Sequence, residues 1–174
     1  MAPPEEPPVR NFETIESLLR DDKAQEVIQI LNDDASLIHS VCSRSRLNLM
    51  TLALYYKNDE LINFLFEHML RDVMSSNPIK TYTVITYAID YVEDKDLFRR
   101  IIQKFNNVNF EHYLTKMTAL HYAVQNMKAK FAKILLEHGA DKTIKNMIGQ
   151  TPIDMAHQIR NPDLKLKMLS LLNS

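Results

Sequence analysis

Thr118-Ala-Leu-His-Tyr-Ala123, followed by Phe131-Ala-Lys-Ile-Leu-Leu-Glu-His-Gly-Ala-Asp141, is the stretch that decides the fold of this chain. A second opening of the same form, Thr151-Pro-Ile-Asp-Met-Ala156, begins 33 residues after Thr118. Repetition at a fixed offset of this size marks a stack of small units, each too small to bury its own apolar face alone.

Working backwards from the small residue in each opening sets a frame. Ala156, Ala123, Ala88 and Ala53 lie 33, 35 and 35 residues apart. Each follows a large apolar residue by three positions: Ile153, Leu120, Ile85 and Met50. Each precedes a second apolar cluster, at Leu164 to Leu169, Phe131 to Leu136, Leu97 to Ile102 and Leu61 to Phe66. A small side chain is wanted where two helices cross closely, because a larger one would force neighbouring units apart. The segment from Phe12 to Leu31 shows two apolar segments of the same kind, with Leu19 in the alanine slot. It reads as an N-terminal capping unit, which is atypical because one side meets water.

The openings and the Leu-Leu-Glu-His-Gly-Ala-Asp close over residues 116–157 resemble the ankyrin repeat. The resemblance implies an all-α solenoid of about five helix-turn-helix units joined by short extended fingers. The units fall at approximately 11–40, 41–75, 76–110, 111–145 and 146–174. Gly139 then follows a second helix, where a left-handed cap is wanted, and Gly149 sits at a finger tip. Thr151 can cap the next helix, with Pro152 in its first turn. The second and third units lack both glycines and the Thr-Pro pair. The connection from Met69 to Tyr82, with Ser75, Ser76, Asn77 and Pro78, is overlong, so irregular fingers are expected there.

Composition narrows the function. With 174 residues, 45% apolar and 25% charged, the chain is in the globular range and long enough for a sizeable core. Residues 1–10 carry four prolines and read as a disordered tail rather than a secretory leader. The longest apolar run, Leu61 to Phe66, is far short of a membrane span. One cysteine, Cys42, excludes a disulfide framework and a Cys-based zinc cluster, and with nine methionines it suits a reducing interior, cytoplasm or nucleus. Only two glycines are present, so no phosphate-cradling loop can be written, and neither has a Ser two residues away to form a nucleophile elbow.

The titratable residues support no catalytic, cofactor or metal assignment. The resemblance implies that His121 hydrogen-bonds backbone between neighbouring units, and no second ligand stands at helical spacing from it. His138 and His68 sit at matching second-helix ends, while His39, His112 and His157 stand alone. Cys42 has His39 three residues upstream, but lacks an oxyanion site and an orienting group, so it reads as a spectator thiol. Asp21-Asp22 and Asp33-Asp34 fall at helix starts or turns, where capping explains them.

Charge is divided unevenly. Residues 1–87 carry 8 basic and 13 acidic side chains, and residues 88–174 carry 13 and 9. Lys128, Lys130, Lys133, Lys142 and Lys145 make the fourth unit basic, which reads first as a solvated outer face. A nucleic-acid-associated role for the basic half is the alternative, disfavoured because the net charge is −1.

The aromatic pattern carries the positive expectation. In the family, residues two and three places after the first-helix alanine, and six before it, line a concave groove. Here those slots hold Leu47, Tyr55 and Tyr56; Tyr82, Asp90 and Tyr91; Met117, Gln125 and Asn126; and Gln150, Gln158 and Ile159. Four of the seven tyrosines fall on them, and tyrosine is enriched at binding hot spots. The opposing reading buries these rings under irregular fingers. The expected function is therefore a non-enzymatic protein-binding module, acting as adaptor, inhibitor or regulatory subunit, with another protein as partner and no small-molecule substrate or membrane. The nearly pure repeat content is also similar to small ankyrin-type regulators of the cell cycle that act within kinase complexes. That likeness implies a protein kinase partner and control of DNA replication.

Overall fold

A computed structural model describes residues 12–39, 48–68 and 78–174. It divides the chain into two compact units, Met1–Met69 and Leu70–Ser174. The proline-rich tail, Cys42 and Leu47 lie outside the described residues. All regular structure among the described residues is helical, with no β-strand.

In the first unit, α1 (Phe12–Arg20) and α2 (Ala24–Asp33) form one helix pair, and α3 (Leu49–Tyr55) and α4 (Asp59–His68) form the next. Each pair packs internally; α1 then lies on α3, and α2 on α4. A short 3-10 turn, Ala35–His39, follows α2. Asp34 starts it by accepting from the backbone N–H and the hydroxyl of Ser36, so this acid shapes a turn. The core joins Ile15, Leu19, Val27, Leu31, Met50, Ala53, Leu61 and Leu65, all buried. Leu19 is therefore buried in the slot that the repeat frame assigns it.

The second unit repeats the design. Here α5 (Pro78–Tyr91) pairs with α6 (Lys95–Gln103), α7 (Ala119–Gln125) with α8 (Ala129–Glu137), and α9 (Pro152–His157) with α10 (Pro162–Asn173). First helices stack in the order α5, α7, α9, and second helices in the order α6, α8, α10. Ala88, Ala123 and Ala156 are fully buried, as is Ala53 in the first unit. The Phe98 and Phe131 rings meet 4.5 Å apart between α6 and α8.

Local chemistry sets the helix ends. Thr118 and Thr151 each close a capping box, with His121 and Asp154 respectively at the third helical position. Asn48, Asp94 and Asn161 cap α3, α6 and α10 with their side chains. Gly139 adopts φ +84° where α8 ends, and Gly149 φ +80° in the finger before α9. The helix-to-helix turns use the same device without glycine. Asp22, Lys57 and Met127 have φ of 58°, 53° and 55°. Each donates to a residue three back, and the next residue closes onto the carbonyl five back: Lys23 to Leu18, Asn58 to Ala53 and Lys128 to Ala123.

Two expectations change. Residues 78–82 are not part of an irregular connection, because α5 begins at Pro78, a residue whose fixed φ suits a first helical turn. Residues 69–77 lie outside the described residues. On α10, the cluster from Leu164 to Leu169 is buried only at Met168, which turns inward with Leu172 one turn on, whereas Leu166 is 71% exposed.

Candidate functional site

The fingers of the second unit are held as a row by backbone and amide chemistry. The Met147 N–H donates to the Thr115 carbonyl of the preceding finger at 2.9 Å. The Asn109 amide reaches across in both directions, donating to Gly139 O at 3.0 Å and accepting from the Asp141 N–H at 2.8 Å. His121 completes the register. Its Nδ1 accepts from the Thr118 N–H at 3.1 Å, so Nε2 carries the proton and donates to Gln150 O at 3.1 Å. Burial lowers the pKa of this fully buried ring, against a smaller upward pull from its backbone acceptors. The role that the resemblance implied for His121 is thus what the geometry shows.

Three other histidines have local partners. His68 and His138 each donate from Nδ1 to the carbonyl four residues back, Phe64 and Ile134, at 2.8 Å. His112 Nδ1 accepts from the Thr115 N–H at 3.3 Å, and its ring lies 4.9 Å from that of Tyr113. Among the described residues no three His, Cys, Asp or Glu side chains gather to hold a metal, and no helix is long and apolar enough to cross a membrane.

The groove slots differ in character. In the first unit, Tyr55 is 47% exposed and Tyr56 half-buried, with their rings edge-on at 5.1 Å. Tyr56 also takes a hydrogen bond from the Arg20 guanidinium, whose pKa it raises. The Gln25 amide of α2 bonds the Glu60 carboxylate of α4, outside these slots.

In the second unit, Tyr82 lies within α5, half-buried, 5.3 Å from the His112 ring. Burial pushes its phenol up to about 12. Tyr91 is half-buried and stacks on Tyr87 at 5.6 Å, with ring planes 23° apart. Asp90 is exposed and accepts from the Tyr122 hydroxyl at 2.5 Å, a bond from α5 to α7. Burial first, and the Asp90 carboxylate second, raise the Tyr122 pKa well above the usual phenol value. Met117, Gln150 and Ile159 are half-buried; Gln125, Asn126 and Gln158 are exposed. Asn126 donates its amide back to Tyr122 O at 2.9 Å.

Two residues of this face were missed by the slot positions, Tyr87 and Tyr122. Each immediately precedes a first-helix alanine and lies four residues before a slot, Tyr91 or Asn126. On a helix those positions are neighbours. Helical spacing alone would have found them.

The lysines of the fourth repeat lie elsewhere. Lys130 donates to Glu93 O at 3.0 Å and rests 4.7 Å from the Phe131 ring centre. Lys133 pairs with Glu137 at 3.9 Å, and Lys142 donates to Leu172 O at 2.9 Å. Lys95, Lys130, Lys133 and Lys167 line a shallow cleft of about 480 Å³ on the second-helix side.

Comparison with known proteins agrees with this architecture. The family described as "Ankyrin repeats (3 copies)" matches residues 49–146 and 85–163. A human 2-5A-dependent ribonuclease is 38% identical over 64 residues, which is 37% of this chain and 9% of that protein. Ankyrin repeat and SOCS box protein 11 of Danio rerio is 53% identical over 38 residues, 22% of this chain and 13% of that protein. The chain thus spans only a small part of both relatives. The crystal structure of the ankyrin repeat domain of Bcl-3 superposes with a TM-score of 0.55 at 20% identity, covering 74% of this chain and 52% of that one.

Proposed function

This chain belongs to the ankyrin-repeat family, whose repeats mediate binding to other proteins, and from that premise we propose that it acts as an adaptor, inhibitor or regulatory subunit without an active site of its own. The surface we assign to the partner is the first-helix face, concave in this family. One observation carries the assignment: on that face of the second unit Tyr87 and Tyr91 stack half-open, and the half-open Tyr122 donates to the exposed Asp90. Such rings present large rigid area with little entropy to lose on binding. The lysines of the fourth repeat are the weaker candidate, because Lys130, Lys133 and Lys142 already have partners within the chain.

The likeness to small repeat regulators makes a cell-cycle protein kinase the partner class we propose, with control of DNA replication as the process. A reducing compartment, cytoplasm or nucleus, suits the single cysteine. Affinity capture from extract with the intact chain and with Tyr91→Ala, read by quantitative mass spectrometry, tests the surface. A partner captured equally by both chains would sink it. Co-purifying kinase activity that is lost with Tyr91→Ala would support the finer reading, and its absence among captured proteins would end it.

A further inference from the structure

The face assigned to the partner also carries the chemistry of what it would hold. Tyr87 and Tyr91 stack one turn apart on α5, and Asp90 stands three residues after Tyr87, on the same side of the helix. Oδ2 of Asp90 accepts from the Tyr122 hydroxyl of α7. Tyr82 and Tyr91 lie near enough to Tyr122 to act on it electrostatically. The result is a carboxylate bonded to the Tyr122 phenol and adjacent in sequence to the stacked Tyr87–Tyr91 pair.

What this carboxylate lacks is a cation. Among the described residues no Lys, Arg or His pairs with Asp90, whose one hydrogen bond comes from a neutral phenol. Tyr82 and Tyr122 stay neutral at physiological pH, since both are raised rather than lowered. A docked apolar side chain would bury the charge unpaired, which is costly, and an acidic one would be repelled. A cation meets two attractions together, the carboxylate and the negative faces of the rings. Between the two biological cations, a guanidinium fits better. Its planar fork can engage a carboxylate while its plane lies against aromatic rings, and it gives up hydration more readily than an ammonium.

Resting on the reading of this face as the partner surface, we propose that Asp90, with Tyr87, Tyr91 and Tyr122, receives an arginine side chain of the partner protein. The guanidinium pairs with the Asp90 carboxylate, and the tyrosine rings cover its plane.

The probe is N-acetyl-arginine amide, titrated into the full chain with carbon-13-labelled tyrosine, against N-acetyl-citrulline amide as the uncharged isostere. Arginine amide should move the Tyr87, Tyr91 and Tyr122 ring signals saturably, and citrulline amide should leave them in place. Asp90→Asn keeps an acceptor for Tyr122 and should weaken the arginine response by at least about fivefold. Equal responses to both amides, or an Asp90→Asn response matching wild type, would overturn the proposal. Partner capture separates the two levels. Capture lost with Tyr91→Ala but untouched by Asp90→Asn removes the arginine and keeps the face. Capture indifferent to Tyr91→Ala removes the face itself.

Discussion

His121 Nε2 donates to the carbonyl oxygen of Gln150 at 3.1 Å, so one imidazole of α7 holds the finger that leads into α9. The same ring closes the capping box of its own helix through Nδ1. Only the neutral tautomer does both, because a doubly protonated ring has no acceptor. His121→Asn should therefore cost about 1–3 kcal/mol at pH 7, by leaving buried groups unpartnered. Chemical denaturation with far-ultraviolet circular dichroism measures it, and an unchanged midpoint would refute the coupling.

Acid should weaken the same link. Burial lowers the His121 pKa in the folded chain, so the unfolded chain takes up a proton first as pH falls. The stability that neutral His121 contributes is complete above the ordinary imidazole value of about 6.5 and is lost as pH falls through the lower folded value. Denaturation midpoints at pH 7.5, 6.5 and 5.5 should fall in wild type and fall less steeply in His121→Asn. Parallel slopes would mean another group governs the acid limb.

Ala123 is fully buried where first helices stack. Ala123→Leu should overpack the crossing and cost about 1–3 kcal/mol. Melting at the wild-type temperature would show that the crossing is looser than the repeat frame requires.

Lys57 and Met127 hold left-handed turns, with φ of 53° and 55°, that glycine adopts without strain. Lys57→Gly and Met127→Gly should each stabilise the fold by about 0.5–1 kcal/mol, the relief of strain outweighing the added freedom of the unfolded chain. Urea midpoints decide it, and a lower midpoint for both would refute the argument.

Charge reversal at Lys130 and Lys133 should change partner affinity by less than about threefold, with the effect fading as salt is added. Tyr91→Ala should weaken it by more than about tenfold while melting temperature hardly moves. Calorimetric titration of the captured partner makes the comparison. Loss of binding on lysine reversal at physiological salt would move the site to the second-helix side.

Much of this architecture could be read before any coordinates. The alanine register at 53, 88, 123 and 156 was legible because a close helix crossing admits only a small side chain, and that demand recurs once per unit. Thr118, Thr151, Gly139 and Gly149 were legible because capping and left-handed turns are local chemistry, satisfied within a few residues. The turns at Asp22, Lys57 and Met127 were not, since no glycine announces them and the surrounding helices impose the conformation. The start of α5 at Pro78 was hidden for a related reason: polar residues before it read as loop until packing decides how far the helix extends.

The candidate site divides along the same line. The resemblance to the repeat family, laid on the alanine register, placed Tyr55, Tyr56, Tyr82, Asp90 and Tyr91 on groove slots. The stack of Tyr87 on Tyr91 is a local pair one helical turn apart, whereas the bond from Tyr122 to Asp90 joins residues 32 apart, and nothing local dictates it. A single chain pattern determines which way a side chain points, whereas which groups then meet depends on how one helix pair lies against the next. That relation belongs to the packed core, and only the tertiary structure decided it.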